Sequence, residues 1–515
     1  MKYISILNDV LGPIMRGPSS SHTAGSYRIG SLTRSLLGED PSRVTVTVDP
    51  DGSLAPTLEQ LGVDIAFVSG AMGWSMMDED YTSAIEKAQS LGVQFDFEVG
   101  PLKHSNHPNA MWIEADSKFG NTLAGGAESI GGGSIRFTHI DSWSVELTGE
   151  SFDVLVEANV SAAAEVERHL SETSLVDNLT HREQDDLVLI HARRTSPFDP
   201  ELEALTRSVD GVSSVRYSEP FCRVKFQDGL FTSAVEMISA AETRGCSLGR
   251  IALAHEAKLL GMSDAEVLEE VFQRLEVMYA SVDFGLDDHR SDMMLLKPTA
   301  RSVLESEASG HVAIGGIQTR AAARALAVMH ACNSRAVVCA APTGGSAGVI
   351  PGVLSSLAEE RGLEREAAAF ALLAAGAVGS IVAGRATFAA ETAGCQVEIG
   401  AAGAMAAAAV VEVAGGSALQ ATDAAAIALQ NTMGSVCDPV QGTCEIPCHT
   451  RNAVAASSAF VCADLVLGGY QNTVPLDETI DASFAVGKTL PRELRCTAAG
   501  GLSITPSALS MERLR

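Results

Sequence analysis

The segment AGCQVEIGAAGAMAAA, residues 393–408, places a cysteine next to a glycine and runs on into alanine and other small apolar residues. A second apolar run covers residues 366–384. Charged side chains bound or interrupt these runs, at Arg365, Glu366, Arg385 and Glu412. Apolar runs of this length approach the composition of a transmembrane helix, but the charges favour helices buried in a protein core. The segment therefore predicts closely packed helices in the C-terminal half, and no membrane partner.

The composition of the 515-residue chain agrees with this interpretation. Hydrophobic residues make up 46% of the chain and aromatic residues only 5%. The core must therefore consist largely of Ala, Val, Leu and Ile, which suits packed helices. A single hydrophobic core stops growing well below this length, so we expect several domains.

Two regions precede the predicted helical half. Residues 1–150 alternate strand-like and helical runs around Gly-rich turns, which predicts an α/β domain with strands at Val44–Val48, Ala110–Ala115 and Trp143–Leu147. Residues 151–230 predict a βαββαβ module, with strands at 152–158, 187–192 and near Val215 and helices at 162–170 and from Pro200.

Residues 235–515 are predicted to form an all-helical domain. The expected helices cover 239–260, 264–284 and 319–331 and most of 352–467. The predicted fold class is therefore multidomain α+β.

The charge of the chain argues against nucleic acid as a partner. Lys and Arg total 36 against 64 Asp and Glu, and a net charge of -28 repels phosphate backbones and anionic lipids. The first residues, MKYISILNDVLGPIMRG, do not resemble a secretory signal, which predicts a cytoplasmic protein. Ten cysteines in such a protein indicate reduced thiols, metal ligands or redox chemistry instead of a disulfide framework.

Three cysteines stand out by position. Cys395 lies 42 positions before Cys437, which lies 11 positions before Cys448, and each is close to Gly or Pro at a predicted helix end. Three thiolates on loops can converge on an iron-sulfur cluster and leave one iron open to a substrate oxygen. The spacing matches no ferredoxin pattern, and zinc or plain buried cysteines are alternatives.

Two further loops carry hydroxyl groups and glycine. In the loop Thr343-Gly344-Gly345-Ser346, backbone amides and hydroxyls can bind a carboxylate, or the hydroxyls can simply cap a tight turn. In the loop 17–23, the residues Ser19, Ser20, Ser21, His22 and Thr23 can bind a carboxylate at a helix N-terminus or act as an N-cap. Arg451 can pair with a carboxylate or the cluster, or cap a helix.

Several of these segments together resemble the iron-sulfur-dependent L-serine dehydratases. The matching motifs are AGCQVEIG from Ala393, CDPVQG from Cys437, IPCHTRN from Ile446, APTGGSAGVIPG from Ala341, GGLSITP from Gly500, GPSSSHT from Gly17, HPN from His107 and SIGGG from Ser129. They extend over nearly the whole chain, in an order similar to the beta-type and alpha-type subunits of Bacillus and Clostridium enzymes fused end to end.

The resemblance implies a cofactor and a set of site residues. It implies a 4Fe-4S cluster on Cys395, Cys437 and Cys448, and deamination of L-serine to pyruvate and ammonia by dehydration. It implies catalytic roles for Ser21, His22 and Thr23. It implies substrate binding by Ser19, Ser20, Asn109, Thr343, Gly344, Gly345, Ser346 and Arg451.

The resemblance also bears on the domains, the partners and the cofactor. Residues 1–150 correspond to the family's beta-type domain, the middle module is similar to ACT-type regulatory domains, and a homodimer with a small amino-acid substrate is expected. The elimination forms an enamine that hydrolyses to a keto acid, so no pyridoxal phosphate is required. The lysines of the helical half, Lys258, Lys297 and Lys488, lie in no recognisable Schiff-base motif.

The chain departs from the family pattern at the position of an expected histidine. After Gly52-Ser53-Leu54 the family's proton-transferring histidine is replaced by Leu61. Either His22, Glu59 or another group is then the base, or the substrate is a different β-hydroxy or β-thiol amino acid, or the protein is a non-catalytic amino-acid or redox sensor.

Other departures concern cysteines. Cys332 replaces the family's usual Asn, and Arg290–Met294 replaces a Gly-Gly-Asp segment. Cys496, where relatives usually have Glu, is a candidate fourth iron ligand. Cys444 is expected to be a spectator thiol, and Cys222, Cys246, Cys339 and Cys462 are expected to be small core residues.

Overall fold

The computed structural model describes residues 3–171 and 176–514. The first part of the chain contains helices α1 (Ile6–Asp9), α2 (Gly25–Leu37), α3 (Val63–Ala71) and α4 (Ala84–Ser90). Its strands are β1 (Ile14–Arg16), β2 (Pro41–Val48), β3 (Gln94–Val99), β4 (Ala110–Ser117), β5 (Thr122–Gly131), β6 (Ser134–Ile140) and β7 (Trp143–Leu147). The three strands predicted in this region are confirmed as parts of β2, β4 and β7.

Strands β2 to β7 form one six-stranded sheet in the order β3-β2-β4-β5-β6-β7. All neighbours are antiparallel except β2 and β3, in which Val44 pairs with Phe95. Because side chains alternate between the faces of a strand, Val44, Val46 and Val48 all point to one face. There they are buried together with Ile29 of α2 and Phe67 of α3. The alternating valines thus fix which face of β2 packs against the helices.

The middle of the chain contains a separate four-stranded antiparallel sheet. Its elements follow one another as β8 (Phe152–Asn159), α5 (Ala163–Ser171), β9 (Val176–Gln184), β10 (Leu187–Arg194), α6 (Pro200–Arg207) and β11 (Val212–Ser218). The strand order in the sheet is β11-β8-β10-β9. The position of β9 was not predicted, because its sequence VDNLTHREQ is polar and mostly exposed and lacks apolar alternation.

The last part of the chain is dominated by helices. They are α7 (Ala234–Arg244), α8 (Leu248–Leu260), α9 (Asp264–Gly285), α10 (Ala300–Ala308), α11 (Ile317–Asn333), α12 (Val349–Arg361), α13 (Arg365–Arg385), α14 (Ala390–Ala393), α15 (Ile399–Val413), α16 (Ala418–Gln430), α17 (Cys448–Leu467), α18 (Leu476–Thr489) and α19 (Pro506–Leu509). The single helix predicted over 239–260 is two helices. Gly245, at φ +59°, ends α7, and Ser247 caps α8.

The two apolar runs form core helices. The helix α13 and the segment Cys395–Val413 are long and apolar enough to cross a membrane, but 83% of the most hydrophobic window of each is buried within the protein. Close packing depends on small residues: a methyl group on Gly285 of α9 would overlap the carbonyl oxygen of Ala327 in α11. Burial on all sides is what the Ala-rich sequence predicted.

The N-terminal segment packs into the helical part of the chain. Strand β1 pairs antiparallel with a short strand, β12 (Val337–Cys339), which lies in the region predicted to be all helical. The buried Glu256 carboxylate of α8 accepts hydrogen bonds from Ile6 N at 2.7 Å and Leu7 N at 3.0 Å, at the start of α1. Three residues are too few for a strand to be recognised by periodicity. The pairing of β1 with β12 brings the loop that follows β1 next to the loop that follows β12.

Candidate active site

The loop after β1 carries the predicted catalytic residues. After Ser19 the chain makes one π-helical turn, Ser20–Ala24, and continues into α2. Ser19 Oγ accepts a hydrogen bond from His22 N at 3.2 Å, so this serine does cap the turn. Such turns are rare and often lie at functional sites.

The hydrogen bonds of His22 define its tautomer. The imidazole is buried, with Nδ1 3.0 Å from Ser19 Oγ and Nε2 3.0 Å from Ser53 Oγ. The Ser53 hydroxyl donates its only proton to Cys496 O at 3.0 Å. Nε2 must therefore donate to Ser53, and the lone pair of the neutral ring is on Nδ1, where Ser19 can donate.

Glu391 faces the same nitrogen. Its Oε1 lies 3.5 Å from His22 Nδ1 and accepts a hydrogen bond from Ser21 Oγ at 2.7 Å. Burial lowers the pKa of His22, and the nearby Glu391 carboxylate partly offsets this effect. The pair can therefore share a proton at Nδ1, a role that the sequence did not assign to Glu391.

Leu61 forms part of the wall around this turn. Its side chain is buried, and its carbonyl oxygen accepts a hydrogen bond from Thr23 Oγ1 at 2.7 Å. An aliphatic side chain cannot move protons, so Leu61 contributes shape and a backbone acceptor. Glu59, the other base considered, is exposed to solvent.

The loop after β12 packs directly on the His22 loop. A methyl group on Gly344 would lie 2.9 Å from Ser20 N. Thr343 Oγ1 and Ser346 Oγ are 2.9 Å apart and cap the turn reciprocally, as the turn interpretation predicted. Burial raises the pKa of the Glu398 carboxyl well above its usual value, and the nearby Thr343 hydroxyl partly offsets this rise. The two predicted substrate loops therefore meet.

Cys332 lies next to the contact between the His22 loop and the loop after β12. It is fully buried, and its thiol donates to Pro18 O at 3.5 Å and Gly344 O at 3.4 Å. The cysteine that departs from the family pattern thus ties the two loops together.

Several buried polar atoms of the site have no hydrogen-bond partner among the residues that the structure describes. They are Ser20 Oγ, both amide atoms of Asn109 and Glu391 Oε2. Buried polar groups are normally paired, so these atoms indicate a place for a polar ligand. Asn109 is held near the His22 loop through Ser129, which donates from its backbone to Asn109 O and from its hydroxyl to Ser21 O.

The three predicted cluster cysteines lie at the ends of helices in this region. Cys395 precedes α15 in a short turn, Cys437 lies in the loop after α16, and Cys448 is the first residue of α17. All three are buried, and the Cys395 and Cys437 sulfurs lie within 4.8 Å of each other. Among the described residues, the groups whose ligand atoms lie within 4.8 Å of one another do not include Cys448. The neighbouring Cys448 thiol and burial raise the pKa of Cys444 well above its usual value.

Backbone hydrogen bonds join Cys496 to Cys437. Cys437 N donates to Leu494 O at 2.9 Å, and Cys496 N donates to Cys437 O at 2.8 Å. Cys496 has a φ of +61°, a conformation that costs free energy for any residue except glycine. The chain is thus bent where Cys496 lies beside Cys437.

Arg451 lies on the cysteine group instead of capping a helix end. Its Nη1 is 3.5 Å from Cys395 Sγ and donates to Val436 O at 2.8 Å. Its Nη2 donates to Asp438 at 2.9 Å. Asp438 also accepts from Leu502 N at 2.8 Å, which anchors the predicted GGLSITP segment to the same place.

The donor atoms suit a thiolate-bound metal centre. Ligand atoms of Cys395, Glu398 and Cys437 lie within 4.8 Å of one another, as do those of His22, Glu391 and Cys496. Contacts with Cys395 and Cys496, together with burial, raise the pKa of Cys437 well above its usual value. Crowded thiols therefore hold their protons until a cation replaces them, as iron and zinc do.

Sequence reasoning missed Glu391, Glu398, Ser53 and Asp438. Glu391 and Glu398 are acidic residues in an apolar stretch on either side of Cys395, and buried carboxylates are costly unless they are paired or bind a cation. That was the signal available in the sequence. Ser53 and Asp438 lie in the quoted segments Gly52-Ser53-Leu54 and CDPVQG, but the sequence did not indicate their partners, which are distant in the chain.

Comparison with known proteins assigns the family. Residues 243–503 match the family described as serine dehydratase alpha chain. The probable L-serine dehydratase alpha chain of Bacillus subtilis is 37% identical over 284 residues, 55% of this chain and 95% of the relative. The beta chain from the same organism is 38% identical over 159 residues, 31% of this chain and 70% of the relative. L-serine dehydratase 2 of Escherichia coli is 28% identical over 518 residues, 95% of this chain and 96% of the relative. The chain therefore belongs to the L-serine dehydratase family of lyases, with the beta-type and alpha-type regions joined in one polypeptide.

Proposed function

We propose that this protein converts L-serine to pyruvate and ammonia by dehydration, with a 4Fe-4S cluster bound to Cys395, Cys437 and Cys448. One observation carries the proposal. Ligand atoms of His22, Glu391 and Cys496 lie within 4.8 Å of one another, and Cys496 N donates a hydrogen bond to Cys437 O at 2.8 Å. A group that can move a proton is therefore adjacent to thiols suited to a cluster. The names of the relatives from Bacillus subtilis and Escherichia coli support the same reaction.

The cysteine group supports the cluster. Its buried thiols are the ligands that iron-sulfur clusters prefer, and the Arg451 guanidinium against Cys395 offsets the negative charge of thiolates. When bound, the cluster would supply one iron that none of Cys395, Cys437 and Cys448 ligates, and this iron can act as a Lewis acid toward a hydroxyl oxygen.

The substrate-binding groups line the contact between the two loops. Ser20 Oγ and the Asn109 amide, buried and unpartnered among the described residues, are suited to the carboxylate and ammonium groups of an amino acid. Gly344 lets the second loop approach the His22 loop closely, Gly345 lies against the Glu398 carboxyl, and Thr343 and Ser346 hold the shape of the second loop. Ser19 and Arg451 complete the polar lining.

His22 is the proposed base. Its Nδ1 lone pair accepts the α-proton, and the Glu391 carboxylate stabilises the imidazolium that forms. Ser21 positions Glu391, and Thr23 fixes the turn on Leu61. Loss of the α-proton and the β-hydroxyl leaves an enamine, which tautomerises to an imine. Water hydrolyses the imine to pyruvate and ammonia, so pyridoxal phosphate is not needed.

Cys496 is proposed as the protein ligand of the fourth iron in the absence of substrate. Its backbone hydrogen bond to Cys437, and the rise in the pKa of Cys437 to which the Cys496 thiol contributes, support this role. Cluster spectra of Cys496→Ala protein that equal those of the wild type, with and without L-serine, would exclude it.

The expectations about assembly and regulation remain proposals. We propose a cytoplasmic homodimer in which the four-stranded middle sheet serves as an ACT-like regulatory module. Sedimentation of the purified protein tests the dimer, and binding of amino acids to a protein with a blocked active site tests the module.

Anaerobic purification and cluster reconstitution test the main proposal. Release of keto acid and ammonia is then measured across a panel of hydroxy and thiol amino acids, with Cys437→Ala as the control. Turnover of L-serine supports the proposal. Turnover of another amino acid alone would change the substrate, and no turnover by an iron-loaded protein would favour a sensor.

A further inference from the structure

A cavity of about 490 Å³ lies where the three regions of the chain meet. Its walls come from α1, α2 and the start of β1, from α9 of the helical region, and from residues 220–223, which follow the middle sheet. The volume is within the range of about 300–1,000 Å³ that small-molecule sites occupy. The residues that line this cavity are different from those of the candidate active site.

The cavity carries an excess of positive charge, although the protein as a whole has a net charge of -28. Three arginines and a single carboxylate line it. That carboxylate belongs to Glu270, which accepts hydrogen bonds from both Arg223 and Arg274. Arg274 also donates to Leu11 O at 2.6 Å and to Leu7 O at 3.2 Å, so each of its nitrogens is engaged.

Arg28 is the third arginine, and it has no carboxylate partner among the described residues. Its Nη1 donates to Gly133 O at 2.7 Å, and this is the one hydrogen bond that its guanidinium makes within the described part of the chain. The side chain is half-buried at the cavity wall. A guanidinium has five N–H donors, and enclosed donors are normally paired. The remaining N–H groups of Arg28 therefore indicate a place for an acceptor that the chain does not supply.

The groups near Arg28 leave its charge unneutralised. Burial lowers the pKa of the guanidinium, and Cys222, Asp9 and Glu150 partly offset this fall. The Asp9 carboxylate accepts a hydrogen bond from Lys225 Nζ at 3.0 Å. Burial raises the pKa of the Cys222 thiol to about 11, so this thiol is uncharged near neutral pH. Arginine keeps its proton in proteins, so Arg28 offers a positive charge to the cavity.

The lining suits a carboxylate that carries a short carbon chain. A guanidinium binds carboxylate and phosphate oxygens through paired hydrogen bonds. Phosphate is polar on every side, whereas a small carboxylic acid anion can place its charge on Arg28 and its carbon atoms on apolar walls. Apolar residues form much of the remaining wall: Leu7, Pro13, Ile14, Pro220 and Phe221.

The cavity is connected to both members of the proposed proton-transfer pair. Arg28 lies on α2, which continues directly from the turn that contains His22. The turn between β5 and β6, which accepts the Arg28 hydrogen bond, packs against the start of α14. There a methyl group on Gly131 would lie 2.8 Å from Ala389 N, and α14 carries Glu391. An anion on Arg28 therefore binds to elements that position both side chains.

We propose that this cavity is a second ligand site, separate from the active site, in which Arg28 and Arg223 bind a small carboxylate anion. Pyruvate is the probe for the site, because it joins one carboxylate to a short carbon chain. Its neutral amide, pyruvamide, is the control for charge.

Alkylation of Cys222 reports on occupancy, because this thiol lines the cavity. Anaerobically prepared protein is treated with iodoacetamide at alkaline pH, and labelling is followed by peptide mass spectrometry. Pyruvate should slow the labelling of Cys222, and pyruvamide should not. Cys246, the other partly exposed cysteine, is the internal control and should react at the same rate throughout. Equal labelling of Cys222 with and without pyruvate would overturn the proposal, and equal protection by inorganic phosphate would overturn the assignment to a carboxylate.

Equilibrium dialysis with labelled pyruvate provides a count that does not depend on cysteine chemistry. Arg28→Met protein should bind one pyruvate per chain fewer than the wild type, whereas any pyruvate at the active site is common to both. Arg34→Met is the matched control, because Arg34 lies on the same helix outside this cavity and pairs with Asp40 at 2.6 Å. This control should bind as much pyruvate as the wild type. Equal binding by Arg28→Met and Arg34→Met would contradict the proposed site.

A second variant guards against a folding defect in Arg28→Met. Arg223 is 53% exposed, so Arg223→Gln should fold normally by circular dichroism. It should raise the pyruvate concentration that half-protects Cys222 by about tenfold, the effect of losing a charged hydrogen bond. Unchanged protection in Arg223→Gln would remove this arginine from the site. Neither measurement uses turnover, so failure of the proposed serine dehydration would leave these results standing.

Discussion

His22 Nδ1 lies 3.5 Å from Glu391 Oε1, although the two residues belong to opposite halves of the chain. The contact exists because β1 pairs with β12 and carries the His22 loop into the helical part of the protein. The Glu391 carboxylate partly offsets the loss of proton affinity that burial causes in the His22 imidazole. The beta-type and alpha-type regions therefore each supply one residue of the proposed proton-transfer pair.

Replacing Glu391 by Gln should lower kcat by about 100-fold, within the range for general acid-base groups. Gln keeps the acceptor for Ser21 but removes the charge that stabilises protonated His22. The measurement is keto-acid release by the cluster-loaded enzyme. The exposed Glu366→Gln variant is the control and should retain wild-type kcat. Equal kcat in Glu391→Gln and wild-type protein would remove Glu391 from the mechanism.

The pH dependence of kcat/KM should have its acidic limb below the usual histidine value of 6.5, since burial lowers the pKa of His22. A base must be neutral to accept a proton, so activity should be flat through pH 6.5 and fall only at lower pH. In Glu391→Gln the limb should move to still lower pH, because the charge that raises the pKa is lost. A wild-type midpoint at or above 6.5 would contradict this assignment.

The same titration affects stability. The pKa of His22 is lower in the folded protein than in the unfolded chain. As the pH falls below 6.5, the unfolded chain therefore binds more protons than the folded protein does. The free energy of unfolding should therefore fall as the pH drops below 6.5. Urea unfolding of wild-type and His22→Gln protein compares the slopes, and the variant should lose less stability in this range.

Local sequence patterns predicted the elements of the fold better than their contacts. Alternating valines predicted β2, and the Ala-rich runs predicted buried helices. The polar β9 and the three-residue β12 have no apolar period and were missed. The motif residues of the site were identified, but their partners were not. Glu391 bonds to Ser21 from 370 positions away, and a sequence does not reveal which distant side chains meet.

Replacing Gly285 by Ala should lower the free energy of unfolding by about 1–3 kcal/mol, the usual cost of overpacking a core. The added methyl group would overlap Ala327 O, where α9 and α11 pack together. Gly403 in α15 is the matched control, because its added methyl group would lie 3.7 Å from Ala455 Cβ, at ordinary contact distance. Gly403→Ala should be neutral or stabilising by less than about 1 kcal/mol, since Ala favours helix. Similar losses in both variants, measured by urea unfolding, would show that the two sites do not differ in packing.

Replacing Glu445 by Ala should lower the free energy of unfolding by about 3 kcal/mol, because it leaves the buried amide of Leu295 and the part-buried amides of Met294 and Leu296 without an acceptor. Glu445 lies between Cys444 and Cys448, so the loop should also lose its fixed position and bind less iron on reconstitution. The exposed Glu242→Ala variant controls for loss of a carboxylate and should match the wild type in both measurements. A Glu445→Ala protein with wild-type stability would mean that water or another side chain replaces the acceptor. Normal iron content despite lowered stability would mean that the thiols hold their positions without this anchor.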